Sequence, residues 1–398
     1  MTLDELHSLL DPQVLALIDA HAGDDPADFA MRFHGRSDLP VRAMAEQIAC
    51  RKKAAVKLPS LSRFPLLYTR LGLEQASGER AAEWKASLMQ GRRAIDLTGG
   101  LGIDTLFLAR RFYEVVSCER DEALARLAEA NRRVMGVANV ETRIGDSAEL
   151  LDGYDDDSFD WVLVDPARRE HGGRSAGLTA SSPDVVHLHD LMLRKARRVC
   201  IKASPALEFS GLGVQLPFLS EVIVVSADGE CKEVLLLLDR EHESGRQPEI
   251  RAVCLGSETF EIASGAEPPA RQVAEHQAAW LYEPDAAIIK ARLTGELARQ
   301  LGLEFLNSTV DYLTSDQLVE RFPGRSFRIE ECRPFRPKSF RKELAALKIT
   351  KAAIQRRDFP LSVEELRKRY KIGESSERYL FFTKDATGDL VWLSCRKP

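Results

Sequence analysis

Apolar positions recur at helical spacing over residues 1–90 and at strand spacing after them. Leu6, Leu9 and Leu10, then Val14, Leu17 and Ile18, fall on helix faces, and Asp11-Pro12 between them predicts a helix start. The stretch from Pro59 to Pro65 reads as a loop, and Ala81 to Met89 as a helix with Gly91 as its C-terminal cap. From Arg93 the rhythm alternates. Ala94–Thr98, Glu114–Cys118, Val140–Ile144, Phe159–Val164 and Val199–Ala203 read as strands, with helices over Ile103–Arg111, Asp121–Val134 and Pro183–Arg197. Strands separated by helices imply a parallel sheet with right-handed crossovers. The alternation then stops: Val222–Val225 and Glu233–Leu238 are separated only by a turn around Asp228-Gly229, so they form an antiparallel hairpin. After Asp239 come a polar loop, His242 to Pro248, and two strand-like pieces, Ile250–Cys254 and Thr259–Ile262. Glu267-Pro268-Pro269 is a plausible boundary, and from Arg271 a separate α/β region runs to the end. It closes on a hairpin, Arg378–Thr383 and Leu390–Cys395, around Asp385 to Asp389. There is no internal repeat.

Composition narrows the class. The 398 residues are 44% hydrophobic and 29% charged, which is ordinary for a globular protein of several folded units. The densest apolar run, Val234 to Leu238, is of strand length, so no membrane span is expected. The amino-terminal residues lack a secretory pattern, and seven scattered cysteines with no Cys-x-x-Cys pair speak against a disulfide framework or a zinc site. A cytoplasmic enzyme without metal is the expectation. The net charge of −5 does not suggest a polyanion partner, but its distribution does. Arg321 to Lys371 holds 16 Lys and Arg against 6 Asp and Glu, a balance of +10 on a remainder of −15. The region 321–371 either contacts structured RNA, through residues such as Arg356, Arg357, Arg367 and Lys368, or is a solvated helical surface. DNA is not expected.

Candidate chemistry gathers at the carboxyl ends of the strands. Asp96-Leu97-Thr98-Gly99-Gly100-Leu101-Gly102-Ile103-Asp104 lies at a strand-to-helix junction, where glycine lets the backbone turn sharply and approach a ligand. It departs from the dinucleotide fingerprint, because Thr105 stands at the third glycine position. Glu119 ends the second strand, where a carboxylate can accept both hydroxyls of a ribose, and Asp146 follows the third. Gln75 and Ser77 precede the first strand; they close over a ligand there, or Ser77 caps the helix after Gly78. Asp165-Pro166-Ala167-Arg168-Arg169 follows the fourth strand, either as an acceptor-orienting motif or as a strand-ending turn. The glycine-rich loop from His171 to Gly177 is a candidate lid.

These features resemble one family in particular. Five parallel strands closed by an antiparallel hairpin resemble the Rossmann-like seven-stranded sheet of class I methyltransferases, whereas nicotinamide dehydrogenase domains lack the hairpin. With Leu73 to Ser77, Lys202-Ala203-Ser204-Pro205, Tyr282 to Lys290 and Arg357 to Ser362, the chain resembles bacterial class I methyltransferases carrying a C-terminal THUMP-like domain. The resemblance implies S-adenosyl-L-methionine as cofactor, held by Gln75, Ser77, Asp96, Thr98, Gly100, Gly102, Asp104, Glu119, Asp146 and Asp165. It places Asp165, Pro166 and Arg168 at the reaction centre, and Asp146 against the adenine. The implied organisation is an N-terminal helical region over 1–74, the methyltransferase domain over 75–240, an extension over 241–274, a ferredoxin-like segment over 275–325 and a THUMP-like domain over 326–398. Asp165-Pro166-Ala167-Arg168 also resembles RNA uracil-C5 methyltransferases. Those need a cysteine where Ala203 stands, while Cys200 lies inside the strand and reads as core. The expected reaction is therefore direct methyl transfer to a nitrogen or oxygen, with RNA as acceptor. A non-catalytic RNA-binding protein and a methyltransferase of proteins or small molecules are the alternatives, and the oligomeric state is open.

Overall fold

The computed structural model describes residues 1–168, 178, 181–276 and 278–398, and for Arg168 the backbone alone. The chain divides into two compact units, one comprising Met1–Val222 and Lys232–Pro248, the other Ile223–Cys231 and Glu249–Pro398.

The first unit begins with helices α1 (Leu3–Leu9), α2 (Pro12–Ala20), α3 (Pro26–Arg32), α4 (Val41–Lys57), α5 (Arg70–Gln75) and α6 (Glu79–Ser87). The Asp-Pro pairs start helices as expected: Asp11 and Asp25 accept backbone N–H groups of the first turn while the proline occupies a position that needs no donor. A sheet and its helices follow, with β1 (Gly91–Asp96), α7 (Ile103–Leu108), β2 (Phe112–Glu119), α8 (Glu122–Val134), β3 (Val140–Ile144), α9 (Ser147–Asp152) and β4 (Phe159–Val164). A two-residue ladder, β5 (Ala167–Arg168) with β6 (Ser181–Ser182), precedes α10 (Val185–Lys195), β7 (Ala196–Ala203), α11 (Leu212–Gln215), β8 (Leu219–Ala227) and β9 (Glu230–Asp239). Two amides fasten the N-terminal helices to this body. Gln47 of α4 donates to the Tyr68 carbonyl (2.7 Å) and accepts the Tyr68 N–H (2.9 Å). Asn131 of α8 does the same for Leu67, at 2.8 and 2.9 Å.

Seven strands of this nine-stranded sheet run in the order β8-β9-β7-β4-β1-β2-β3. Strands β1, β2, β3, β4 and β7 are mutually parallel and β9 runs antiparallel to β7, so the arrangement is the expected seven-stranded class I one. Continuous apolar runs such as Val162-Leu163-Val164 of β4 and Val234 to Leu238 of β9 are buried, as strands of a sheet covered on both faces require. Two expectations fail locally. Gly91 does not cap α6, which ends at Ser87; it opens β1, where a Cβ would lie 2.6 Å from Asp160. The Asp160 carboxylate needs that space, since it accepts the N–H groups of Arg92 (2.7 Å) and Arg93 (2.8 Å). Strand β7 starts at Ala196 rather than Val199, because Arg197 and Arg198 reach Glu241 and Asp239 and so tolerate the exposed end of a strand.

The second unit holds the β10 (Glu249–Leu255) and β11 (Thr259–Ala263) hairpin and then β12 (Trp280–Pro284), α12 (Ala286–Lys290), α13 (Thr294–Leu301), β13 (Glu304–Phe305) and β14 (Leu313–Ser315). It continues with β15 (Gly324–Pro334), α14 (Phe340–Ala346), β16 (Ala353–Arg356), α15 (Val363–Tyr370), β17 (Tyr379–Lys384) and β18 (Leu390–Arg396). Seven of these strands form one sheet, β13-β14-β12-β15-β18-β17-β16. Its centre is apolar on both faces. Leu380, Phe382 and Trp392 point to one core with Phe335, Phe340 and Tyr370, whereas Tyr379, Phe381 and Leu393 point to another with Tyr312 and Phe327. Alternation along a strand with period two thus serves two cores at once.

All seven cysteines are free thiols. Among the described residues no helix is long and apolar enough to cross a membrane.

Trp392 is fully buried and its indole N–H donates to Glu343 at 3.1 Å. Trp392→Ala is expected to destabilise the second unit by about 3–5 kcal/mol, from the cavity and the orphaned carboxylate together. Urea unfolding followed by circular dichroism measures it; a loss below about 1 kcal/mol would contradict this account of the core.

Candidate active site

The turn after β1 is built around one carboxylate. Asp96 is buried, and its Oδ1 accepts the Thr98 N–H (3.0 Å) while Oδ2 accepts the Thr105 hydroxyl (2.6 Å). Thr98 Oγ1 in turn accepts the N–H of Asp165 at 2.7 Å, which ties the end of β4 to the same turn. Gly100 and Gly102 adopt φ of +53° and +78°, left-handed conformations that favour glycine. A Cβ on Gly100 would find only the Thr98 carbonyl within 4 Å, at 3.8 Å, so the residue borders open space. Burial pushes the Asp96 carboxyl up to about 6, against the pull of its Thr105 and Thr98 hydrogen bonds. Asp96 and Thr98 therefore brace the turn as well as lining the cleft.

Gln75, Ser77, Asp96, Thr98, Gly100, Asp104, Glu119, Asp146 and Asp165 line this single cleft. Glu119 accepts the Gly100 N–H on Oε2 and the Asp121 N–H on Oε1, both at 2.9 Å, leaving lone pairs on each oxygen for a ligand. Asp146 caps α9 by accepting from Ala148 (2.9 Å) and Glu149 (3.3 Å). Three residues stand apart. Gly102 lies behind the wall, where a Cβ would be 3.4 Å from Ala128, and Pro166 is not among the lining residues although Ala167 is. The Arg168 backbone pairs with Ser181, but its side chain, Arg169 and the 171–177 loop fall outside the described residues. Ser77 is not a helix cap either: Gly78 holds that place in α6, and the Ser77 hydroxyl turns instead to Asp104 at 2.9 Å.

Two buried lysines complete the site and were not among the expected residues. Lys202 Nζ lies 2.5 Å from Asp165 Oδ2; its side chain is 11% exposed and that of Asp165 40%. Burial is the largest influence on the Lys202 ammonium and would lower it, but Asp165, with Asp104 and Glu233 behind it, together leave the value raised. Lys85 pairs with Asp104 (3.0 Å) and Glu233 (3.2 Å). Burial works against that ammonium too, and the two carboxylates hold it above the ordinary lysine value. Lys85 had left a signal: it shares the buried stripe of α6 with Ala81, Ala82 and Ala86, where a lone lysine needs a counter-charge. Cys200 is buried in β7, and burial pushes its thiol up to about 12, which makes it inert at neutral pH.

Comparison with known proteins agrees with this geometry. Residues 324–397 match the THUMP domain-like family, and residues 280–323 a ferredoxin-like domain. The chain is 26% identical over 351 residues to an uncharacterized S-adenosylmethionine-dependent methyltransferase of Mycobacterium tuberculosis, covering 87% of this chain and 94% of that one. It superimposes with a TM-score of 0.84 on a crystal structure from Porphyromonas gingivalis W83 that is itself provisionally assigned as a methyltransferase; identity is 28%, over 99% of this chain and 98% of that one. The chain is an S-adenosylmethionine-dependent methyltransferase with a C-terminal THUMP-like domain. A shorter similarity, 35% over 98 residues, links 24% of this methyltransferase to 22% of a 23S rRNA uracil-C5 methyltransferase of Aeromonas salmonicida. The two matched C-terminal segments share one sheet, since β12 of the ferredoxin-like stretch pairs with β15 of the THUMP-like stretch.

The raised Asp96 carboxyl gives a pH test. Because the folded state binds this proton more tightly than the unfolded chain, Asp96 favours folding below about pH 4 and costs stability as pH rises to about 6. Asp96→Asn removes that dependence. The stability of the variant minus that of the natural protein should climb between pH 4 and 6, by at most ~3 kcal/mol, and then level off. Urea titrations at several pH values measure the difference, and a flat difference would contradict the buried-charge assignment.

Proposed function

We propose that this methyltransferase transfers a methyl group from S-adenosylmethionine directly to a nitrogen or oxygen of an RNA nucleotide, with Asp165 orienting the acceptor. The observation that carries the reading is the position of Asp165. It closes β4, borders the cleft beside the glycine turn, and is gripped by Lys202 at 2.5 Å.

The cleft suits the cofactor. Gly100 leaves space where a Cβ would stand, Glu119 keeps free lone pairs for the ribose diol, and Asp146 lies at the next strand end. Ser77 and Asp104 also line the cleft, for the methionine end. The cofactor, when bound, supplies a methyl group already activated by its sulfonium. What remains for the protein is alignment, because holding the acceptor in line provides most of the acceleration available to such a reaction. Asp165 accepts a hydrogen bond from the acceptor N–H or O–H and points its lone pair inward. Lys202 fixes the carboxylate's direction, and Thr98 fixes its backbone. Cys200, buried and protonated, takes no part, which favours direct transfer over a covalent route.

RNA is favoured by the surface of the THUMP-like domain, though not by all the residues its charge count suggests. Arg367 donates to the carbonyls of Ile372, Gly373 and Ala352, and Arg356 to that of Phe359. Arg357 pairs with Glu283 and lies over the Tyr312 ring. These guanidiniums hold the fold. The exposed cations include Arg336, Lys338, Arg341 and Lys342 around the start of α14, with Arg328, Lys348, Lys351, Lys368, Arg369 and Lys371. Phe340 of α14 and Tyr370 of α15 meet edge to face with ring centroids 4.8 Å apart, so the helices that carry or flank most of these groups are neighbours.

Two experiments follow. Asp165→Ala should bind S-adenosylmethionine normally by calorimetry yet transfer methyl groups to RNA from a deletion strain at least a hundredfold more slowly, while Gly100→Asp should lose cofactor binding altogether. Equal turnover by Asp165→Ala would remove that residue from the mechanism. Separately, the full chain should bind structured RNA with an affinity that falls steeply with salt. Serine at Arg336, Lys338, Arg341 and Lys342 should lower the slope of log affinity against log salt by about 0.7–0.9 for each phosphate that is no longer neutralised. Filter binding at several salt concentrations reads this, and an unchanged slope would dismiss the surface.

A further inference from the structure

Lys85 sits behind the cleft rather than in it. Its side chain is 1% exposed, and Nζ lies 3.0 Å from Ser77 Oγ, 3.0 Å from Asp104 Oδ1 and 3.2 Å from both oxygens of Glu233. The Ser77 hydroxyl donates to Asp104 Oδ2 at 2.9 Å. Four segments therefore meet on one ammonium: the residues before α6, α6 itself, the first turn of α7 and the start of the apolar run of β9. Of the charged members only Asp104, 15% exposed, borders the cleft.

The charges in this cluster do not balance. Two carboxylates face one ammonium, so one negative charge remains where little water can reach it. The nearby ammonium of Lys202 is paired with Asp165. A buried excess of this kind is stabilised by a cation arriving from the cleft. The hydrogen-bonding valences agree. Ser77 Oγ accepts from Lys85 and donates to Asp104, which leaves one lone pair, and the Asp104 carboxylate has further acceptor sites. A hydroxyl oxygen and a carboxylate side by side suit a primary ammonium, which has three donors and no acceptor.

We propose that Lys85 is a positioning residue for the cofactor: with Glu233 as its second counter-charge, it holds Ser77 and Asp104 so that together they receive the α-ammonium of the methionine end. The proposal rests on the cofactor reading above. Removing Lys85 leaves two buried carboxylates to share a proton, so Asp104 is neutralised and Ser77 loses the donor that orients it. Removing the charge of Glu233 lets Lys85 neutralise Asp104 instead. Either change weakens ligands that carry the amino-acid end and spares ligands that lack it.

Calorimetry with S-adenosylmethionine, S-adenosylhomocysteine and 5′-methylthioadenosine tests this on the full chain at pH 7. The third ligand has the adenosine and sulfur but no amino acid. Lys85→Met should weaken the first two at least tenfold and leave 5′-methylthioadenosine within about twofold. Glu233→Gln, which keeps the shape of the side chain, should give the same contrast in smaller measure and decides the matter if Lys85→Met does not fold. Equal losses for all three ligands would reduce the cluster to a structural brace, and unchanged or tighter binding of S-adenosylmethionine in Glu233→Gln would overturn the proposal. Failure of the unaltered chain to bind any of the three is a separate result, which removes the cofactor reading and this proposal with it.

Discussion

The Asp96 carboxylate is the joint on which the catalytic unit turns. One oxygen takes the N–H of Thr98 and the other the hydroxyl of Thr105, so the sharp turn between β1 and α7 is fixed at both ends by one side chain. Thr98 passes the constraint to Asp165, and Glu119 fixes Gly100 from the neighbouring strand. The carboxyl ends of β1, β2 and β4 are thereby held in one frame. Such a carboxylate is expensive to bury, and its raised proton affinity is the measure of that cost. The site gains by it, because ligand-facing groups held on a rigid frame lose little freedom when a ligand arrives.

Much of the fold was legible because its signals are local. A strand, a glycine turn and a helix follow one another within a few residues, and the hairpin of β8 and β9 declares itself by the absence of a helix between two apolar runs. The misreadings have a common physical cause, a partner distant in sequence. Gly91 follows a helix and so resembles a cap, yet its conformation answers to Asp160 on another strand. Ser77 precedes a helix, so a cap is one of its two readings, and it answers instead to Asp104. Lys85, on the buried stripe of α6, asks for a counter-charge, but its partner Glu233 lies 148 residues away. Of the candidate site, the glycine turn and the strand-end carboxylates were readable from spacing. The partners of the lysines that orient them were not, since the stripe that marks Lys85 says nothing of carboxylates on other elements.

The C-terminal region shows how far a charge count can mislead. Sixteen basic residues between Arg321 and Lys371 suggest a broad cationic face. A guanidinium, however, is also a rigid five-donor clamp, and Arg357 and Arg367 use it to secure carbonyls, a carboxylate and an aromatic ring. Lysines, with compact charge and flexible stems, are found mainly in the exposed set. Arginine content alone therefore overstates the surface potential of a small domain in which half-buried arginines also clamp the fold.

The path of the chain between the two units has a further consequence. Residues Ile223–Cys231 belong to the second unit, yet the chain returns to the first for Lys232–Pro248 before leaving it again. Ser226, in that early excursion, donates to Asp285, which caps α12. During synthesis the tip of the hairpin thus emerges well before most of the unit it completes, and its partners in that unit follow only as the residues after Pro248 are made. A gene fragment beginning near residue 270 would encode the THUMP-like sheet without this strand tip and without β10 and β11. The unit is not a bead that recombination can move by a single cut, so exchange of THUMP-like parts between such enzymes would have to carry the end of the catalytic sheet along with them.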